Sequence, residues 1–257
     1  MKRIVLLCFF MTLVLGLSGC FGANNEAANN GTANNATEQF SVEYIIQQLR
    51  AQDDVTFITL STDKKYIAYL KGQTEEEFDK PVFLHIWPVG ESSPIQSERE
   101  LFHVAELVWS PNSKYIFADS GTYVIRLGHL FTADAAFVDS FDYYETLFFS
   151  PEGNQLIYTG LNENQSEIKN TITIDPNIFD LVLYDLHTKK STVLFSGTDG
   201  TDYLANKWID EQTIEYIKKD WVLSDESYST NEAVYQYNLE TGENRLIAGR
   251  TGKPVDN

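Results

Sequence analysis

Two clusters of carboxylates are the residues of this sequence best suited to chemistry or to recognition. Neighbouring carboxylates can act as general acid and base when two of them converge in different environments. Aromatic side chains beside charges are also typical of surfaces that bind proteins. The candidate binding residues are the acids and aromatics Glu75, Glu76, Glu77, Phe78, Asp79, Trp221, Asp225 and Glu226.

Other chemical signatures are missing from the sequence. The four histidines are scattered, with no second His or Cys at zinc-ligand spacing. Residues 199–202 are too short for a calcium loop, and 249–253 lack the spacing of a phosphate loop. No Gly-x-Ser-x-Gly elbow occurs. We therefore predict no catalytic residue, no metal site and no cofactor, and we favour a non-enzymatic protein.

The first twenty residues have the features of an export signal. Lys2 and Arg3 precede an apolar run over 4–17, which ends in Leu17-Ser18-Gly19-Cys20. A membrane-spanning helix needs about 20 apolar residues, and this run has 14. Residues 1–19 are therefore predicted to be a cleaved signal peptide.

This segment resembles the lipobox signal of bacterial lipoproteins. The resemblance implies that Cys20 receives a diacylglyceryl thioether and becomes the new N-terminus. It also implies that the protein is anchored in the bilayer through acylated Cys20, on the extracytoplasmic side of the cell membrane. Cys8 is removed with the signal, so the mature domain contains neither a free thiol nor a disulfide.

The charge of the chain limits its partners. The net charge is −18, and removal of residues 1–19 leaves 17 basic against 37 acidic residues, a net charge of −20. Such a surface repels nucleic acid and anionic lipid headgroups. We therefore exclude nucleic acid as a partner, and membrane attachment must come from acyl chains.

A tether and a short helix precede the main domain. Residues 20–39 contain the lipidated Cys and an Asn/Ala-rich stretch with too few large apolar residues to fold, and its reach is roughly 24 Å. In the segment 40–52, Ser41 can cap a helix over 42–51. Val42, Ile45, Ile46 and Leu49 form one apolar stripe on that helix, which is predicted to dock on the domain.

An approximate repeat fills residues 53–250, and a tail over 251–257 follows it. Each copy is an apolar strand, a turn of Ser-Pro or Ser-Thr type, and a second strand. The copies begin at Leu60, Trp109, Phe149 and Trp208, with starts 49, 40 and 59 residues apart. This spacing suits four-stranded blades.

These motifs resemble the WD40-like repeats of TolB-type and prolyl-oligopeptidase-type β-propellers. The resemblance implies an all-β fold, a small propeller of about four four-stranded blades, closed or open. In blade two we predict the third and fourth strands at 122–127 and about 135–139. Blade three begins with a strand at 144–149, and blade four has its middle strands at 213–218 and 233–237.

Long loops between the second and third strands of the blades are predicted to share one face. They are 72–80, 161–179 and 219–232, and blade two has only Ser120-Gly121 there. The three long loops carry 11 acids against three lysines. The competing explanation is that these acids only keep the surface soluble, and that Trp221 only packs its own loop against the blade.

Three functional hypotheses follow. The first is a non-enzymatic envelope propeller that binds a basic protein or peptide through the acidic loops. The second is an envelope hydrolase or enzyme accessory that uses clustered carboxylates. The third is a structural spacer without a specific ligand.

Overall fold

The first described element is the helix predicted from the apolar stripe. The computed structural model describes residues 40–72, 80–121, 125–164, 177–224 and 227–254. Helix α1 spans Val42–Arg50, and the hydroxyl of its N-cap Ser41 accepts the Tyr44 N–H at 3.3 Å. The apolar stripe buries Ile45 and Leu49. In the described ranges, no helix has the length and apolar character needed to cross a membrane.

Blades one and four are four-stranded antiparallel sheets paired in chain order. Blade one consists of β1 (Val55–Leu60), β2 (Tyr66–Lys71), β3 (Val82–Pro88) and β4 (Ile95–Leu101). Blade four consists of β12 (Thr201–Trp208), β13 (Thr213–Ser224), β14 (Ser227–Asn238) and β15 (Asn244–Pro254). The predicted all-β class and the short N-terminal helix are confirmed.

Blades two and three are joined into one seven-stranded sheet. Its strands are β5 (Val104–Trp109), β6 (Tyr115–Ser120), β7 (Ile125–Thr132), β8 (Phe137–Phe149), β9 (Gln155–Leu161), β10 (Phe179–Asp185) and β11 (Lys190–Phe195). The first part of β8, up to Tyr144, pairs with β7, and the part from Tyr143 pairs with β9. A register shift and the positive φ of Glu145 mark the bend between the two parts. Strand β8 therefore ends blade two and begins blade three.

The predicted strands of blade two are wrong in position. The third strand is β7, which is described from Ile125 and continues to Thr132, five residues beyond the predicted end at 127. The two strands predicted at about 135–139 and 144–149 form the single strand β8. Position 128 lies inside β7 and is occupied by glycine. A Cβ there would stand 2.0 Å from the Phe117 ring, so a larger residue would not fit. Tertiary packing here overrides the weak strand propensity of glycine.

The predicted loop 219–232 is also wrong, because β13 and β14 continue through most of it as a hairpin. They pair without interruption from Thr213↔Asn238 to Ser224↔Ser227. The segment contains polar residues that suggested a loop, but Trp221 lies opposite Thr230, a pairing of aromatic and β-branched residues that stabilises sheets. Strand β15 likewise runs into the predicted tail, where Pro254 lies opposite Ser229.

Apolar clusters hold the blades together face to face. Ala68, Leu70 and other residues of blade one pack against Trp109 and Ile116 of blade two. Blades two and three share a cluster that contains Phe117 and Tyr184. Between blades three and four the buried residues are Ile157, Leu181, Ile214 and Tyr216. The hydrophobic core is therefore a series of layers between successive blades.

The arc of blades is open, and its two ends differ. Helix α1 covers the outward face of blade one, where Ile45 and Leu49 pack on Ile67 and Tyr69. Across the outward face of blade four runs a polar row of Lys207, Glu215, Gln236 and Arg245. Within the described residues, no strand of blade one pairs with a strand of blade four. A helix caps one end of the arc and polar side chains cover the other, as in the terminal units of repeat proteins.

The repeated turns between first and second strands form a hydrogen-bonded line along one face. We call this face the turn face. Its turns are 61–65, 110–114, 150–154 and 209–212. The Asp63 N–H donates to Ser113 Oγ at 3.0 Å, and Asn112 Nδ2 donates to the Glu152 carbonyl at 2.8 Å. The Glu152 N–H in turn donates to the Glu211 carboxylate. The repeat motif therefore connects neighbouring blades as well as closing its own hairpin.

A buried histidine in β7 makes stability depend on pH. His129 is 4 % exposed, and no described residue hydrogen-bonds its Nδ1. Burial, aided by the positive charge of Arg99, lowers the pKa of His129 to about 4. The folded pKa of His129 lies below its unfolded value of about 6.5. Burial of the neutral imidazole is therefore compatible with full stability above pH 6.5, and the protein loses stability as pH falls towards 4 and this histidine must take up a proton.

We expect His129→Gln to remove that part of the acid sensitivity. The wild-type free energy of unfolding should fall by up to about 3 kcal/mol more than that of the variant between pH 7 and pH 4. Urea unfolding at both pH values measures the difference. His187→Gln, at an exposed turn position, is the matched control. Equal acid sensitivity in wild type and His129→Gln would contradict this assignment.

Candidate functional site

The connections between second and third strands leave the blades on the face opposite to the turn face. We call it the loop face, and its connections are 72–81, 121–124, 162–178 and 225–226. Gly72, Gly121 and Trp221 each donate their N–H to the carbonyl of the residue preceding the first strand of their blade, namely Asp54, His103 and Gly200. These equivalent bonds place the blades in the same orientation, so their connections emerge together.

Most of the predicted site residues lie outside the described residues. These are Cys20, Glu75, Glu76, Glu77, Phe78, Asp79, Asp225 and Glu226. Trp221 is described, and the described ends of β2, β3, β9, β10, β13 and β14 lie on the loop face.

Trp221 is partly buried, contacts its own blade, and is linked to blade three through Asp202. Its indole Nε1 donates to Asp202 Oδ2 at 2.7 Å, and the Lys219 ammonium lies 4.3 Å from its ring centroid. Asp202 Oδ1 also accepts the Phe179 N–H of β10 at 3.1 Å. Trp221 therefore belongs to a hydrogen-bonded junction between blades three and four at the loop face. Phe179, which the sequence placed in the loop, is buried in β10 instead.

A cavity of about 390 Å³ opens between the inner strands of blades two and three. Arg126 and Asp119 form an ion pair on its wall, in which Nε donates to Oδ1 at 2.9 Å. The Tyr143 hydroxyl donates to the same Oδ1 at 2.5 Å. The carboxylates of Glu106 and Glu145 also line the cavity.

The electrostatics of this cavity indicate a fixed ion pair rather than an acid–base pair. Hydrogen bonding to Asp119 raises the pKa of Arg126, and burial together with Asp119 raises the pKa of Tyr143. Both groups keep their protons at any physiological pH. Asp119 is occupied by two donors, so the network orients side chains and can present the remaining guanidinium donors to a polar ligand.

A second cavity, of about 650 Å³, lies between the first part of β8 and the face of blade three. Its polar lining includes Asp139, Asp142, Glu163 and Asp180, and its apolar lining includes Phe141, Tyr158 and Val182. Glu163 lies at the start of the 162–178 connection and Asp180 near the start of β10, so the cavity extends to the loop face. We call it the β8 cleft.

Sequence analysis missed the polar groups of both cavities. Asp119 and Asp180 stand inside apolar strands, Phe117–Ser120 and Phe179–Tyr184, where each is almost fully buried. A charged residue within a buried strand is rarely found without a partner. That pattern was the available signal, but it does not identify the partner.

Among the side chains that the structure describes, no group of three His, Cys, Asp or Glu residues is placed to hold a metal ion.

Comparisons with known proteins identify solved β-propellers of low sequence identity. The propeller domain of the Trilobed protease from Pyrococcus furiosus, which has an open velcro topology, matches 76 % of this chain and 69 % of that chain, with 12 % identity and a TM-score of 0.43. A prolyl endopeptidase matches 87 % of this chain but only 34 % of its own, with 15 % identity and a TM-score of 0.48. TolB from Acinetobacter baumannii matches 76 % and 43 %, with 12 % identity and a TM-score of 0.36.

No protein-family model and no curated protein matches this sequence. At such identities a likeness concerns the fold alone, and functions differ widely among propellers. The functional argument therefore rests on the residues of this chain.

Proposed function

We propose that this chain is a lipoprotein of the bacterial cell envelope, anchored through Cys20, whose open propeller binds a basic protein or peptide at its loop face. The observation that carries the proposal is the acidic character of that face. Among the described residues, the two cavities are lined by seven carboxylates and one guanidinium, that of Arg126. The predicted acids of the 72–81 connection and of 225–226 add to this charge.

The place where the N-terminal segment joins the domain supports the loop face as the binding surface. The Phe40 carbonyl accepts the Gly90 N–H at 3.2 Å, and Gly90 lies in the β3–β4 turn on the turn face. Helix α1 then leads to the opposite side, where the Gly72 N–H donates to the Asp54 carbonyl. A tether from Cys20 would thus join the domain at the turn face. The loop face would then point away from the membrane, towards partners.

Electrostatic steering provides the test. A partner captured by crosslinking in cells and then purified should associate more slowly with the Glu75→Gln/Glu76→Gln/Glu77→Gln variant. We expect a rate about tenfold lower at low salt and a weaker dependence on salt, because opposite charges accelerate encounter and salt screens them. Stopped-flow or surface-plasmon-resonance kinetics at several salt concentrations measure both.

Two further variants complete the test. The triple variant with Glu91, Glu240 and Glu243 changed to Gln removes the same charge from exposed turn-face positions, and it should bind with nearly wild-type kinetics. Trp221→Ala should weaken affinity more than Trp221→Phe, which keeps an aromatic ring beside Lys219. Unchanged affinity and unchanged salt dependence in the loop-face variants would overturn the proposal in favour of a merely solubilising surface.

A further inference from the structure

A positively charged group stands on the wall of the cavity of about 390 Å³ between blades two and three. The Arg126 guanidinium is fixed there by Asp119, which is 6 % exposed and accepts from Arg126 Nε and Nη2. The buried Tyr143 hydroxyl donates to the same carboxylate. Because both supporting groups are buried in strands, the guanidinium is oriented before any ligand arrives, which lowers the entropic cost of binding.

Arg126 has donors left for such a ligand. A guanidinium carries five N–H groups, and the side chain of Arg126 is 29 % exposed. Asp119 occupies the side of the guanidinium formed by Nε and Nη2, and Nη1 makes no hydrogen bond to any described residue. The planar fork of a guanidinium matches the two oxygens of a carboxylate. The open end of Arg126 can therefore receive a carboxylate from a ligand.

Two glutamates make the same cavity unfavourable for a simple anion. Glu106 and Glu145 line it, and both are exposed. The strand pairing shifts register beside each of them, and Glu145 has a positive φ. Such bulges are common beside functional sites because they redirect side chains. Since Asp119 already neutralises Arg126, the glutamates leave a net negative charge, and a ligand carboxylate must bring a cation with it.

The rest of the lining suits one long side chain. Ala105, Val108, Phe117 and Leu147 supply apolar surface, against which lysine and arginine can bury their methylene stems while the charged end stays in a polar environment. The cavity volume lies within the range of ligand sites in proteins. The lining thus combines a carboxylate receptor, an apolar wall and two acceptors for a cation.

We propose that this cavity binds the carboxy-terminal residue of the partner, a lysine or arginine whose α-carboxylate meets Arg126 and whose side-chain cation meets Glu106 and Glu145. The inference rests on the proposed function and deepens it, since it identifies the part of the basic partner that is recognised. An internal lysine has no carboxylate for Arg126. An apolar or acidic C-terminal residue leaves both glutamates without a cation.

The test compares two labelled tripeptides on the full-length chain by fluorescence anisotropy. Both have the sequence Gly-Ala-Lys with the label at the N-terminus, but one ends in a free carboxylate and the other in an amide. We expect the wild type to bind the free acid at least about tenfold more tightly, because charge-assisted hydrogen bonds are among the strongest in proteins. A surface that attracts peptides through net charge alone would prefer the amide, which has one negative charge fewer.

Arg126→Lys tests the carboxylate receptor. Lysine keeps a positive charge for the buried Asp119 but lacks the planar fork, so the preference for the free acid should fall to about twofold or less. The affinity for the amide should stay near the wild-type value, because the amide does not use the fork. The amide is thus an internal control for correct folding of the variant.

Glu145→Gln tests the other end of the ligand and leaves Arg126 in place. The wild type should prefer lysine over norleucine at the last position of the free acid, because norleucine has a similar stem without the ammonium. This preference should fall severalfold in Glu145→Gln, and the preference for the free acid over the amide should remain. Glu240→Gln, at an exposed turn-face position, is the matched control and should change neither preference.

Several outcomes would overturn the assignment. A wild type that binds acid and amide equally, or the amide more tightly, contradicts it, and so does an Arg126→Lys variant that keeps the full preference for the acid. If Arg126→Lys fails to fold, as judged by far-ultraviolet circular dichroism, an unchanged lysine preference in Glu145→Gln still overturns the assignment.

These outcomes are distinct from those that test the proposed function. If the loop-face triple variant slows partner association but the wild type does not prefer the free acid, the proposed function stands and this inference fails. If Arg126→Lys loses the preference while the loop-face triple variant binds the partner normally, the cavity assignment is supported and the wider acidic-face proposal fails.

Discussion

Trp109→Ala is expected to destabilise the propeller by about 3–5 kcal/mol. Trp109 is 9 % exposed and lies in the apolar layer between blades one and two, with its ring 6.0 Å from that of Tyr66. Removal of so large a side chain leaves a cavity that two rigid sheets fill only in part. Since a domain is stable by about 5–15 kcal/mol, the loss should be easily seen.

Urea unfolding followed by far-ultraviolet circular dichroism measures this effect without depending on tryptophan fluorescence. Trp109→Phe is the matched control. No described residue accepts the Trp109 Nε1–H, so the phenylalanine loses volume but no hydrogen bond and should cost clearly less than alanine. A Trp109→Ala variant within about 1 kcal/mol of wild type would contradict the inter-blade role of this side chain.

Trp208 provides a comparison within the same chain. It occupies the equivalent repeat position in blade four, but its Nε1 donates to the Phe148 carbonyl of blade three at 3.1 Å. The two tryptophans that the repeat aligns therefore have different polar environments.

Cys20→Ala is expected to abolish membrane anchoring altogether. Each acyl methylene buried in the bilayer contributes about 0.8 kcal/mol, and two or more chains hold a protein stably. Without them, the proposed mature chain, whose net charge would be −20, has no attraction to anionic headgroups. The variant should be released or remain an unprocessed precursor, and it should incorporate no labelled palmitate.

Cell fractionation, palmitate labelling and mass spectrometry of the mature chain test this prediction. Cys8→Ala is the matched control, because Cys8 lies in the apolar run that we propose is cleaved off as a signal peptide, and the substitution should have no effect on lipidation. The prediction is wrong if Cys20→Ala still fractionates with membranes as a mature-sized, acylated protein.

Several features of the fold could be predicted because they depend on neighbours in sequence. The stripe through Ile45 and Leu49 and the cap Ser41 predict a helix over 42–51, and α1 spans Val42–Arg50. The repeated turns follow from the residues they contain: Lys64, Ser113 and Gly153 occupy the same turn position, and all have positive φ. The burial of Trp109 follows from its place at the end of an apolar strand before such a turn.

The candidate site was predictable only in outline. The alternation of strands and turns predicts that the connections between second and third strands leave on one face, and the described strand ends lie on that face. The length of the β13–β14 hairpin did not follow, because residues 219–232 contain the polar types found in loops. Their pairing depends on the partner strand, which lies across the hairpin, rather than on local preference.

The amino-acid sequence by itself determined the charge, the helix, the four repeats and the turn that links each pair of strands, because each depends on contacts over a few residues. Tertiary structure alone decided that β8 bends to serve two blades, that α1 takes the place of a neighbouring blade, and that Asp180 is buried in the wall of a cleft. These features arise where segments distant in sequence meet, and the close packing of layers leaves each side chain one compatible arrangement.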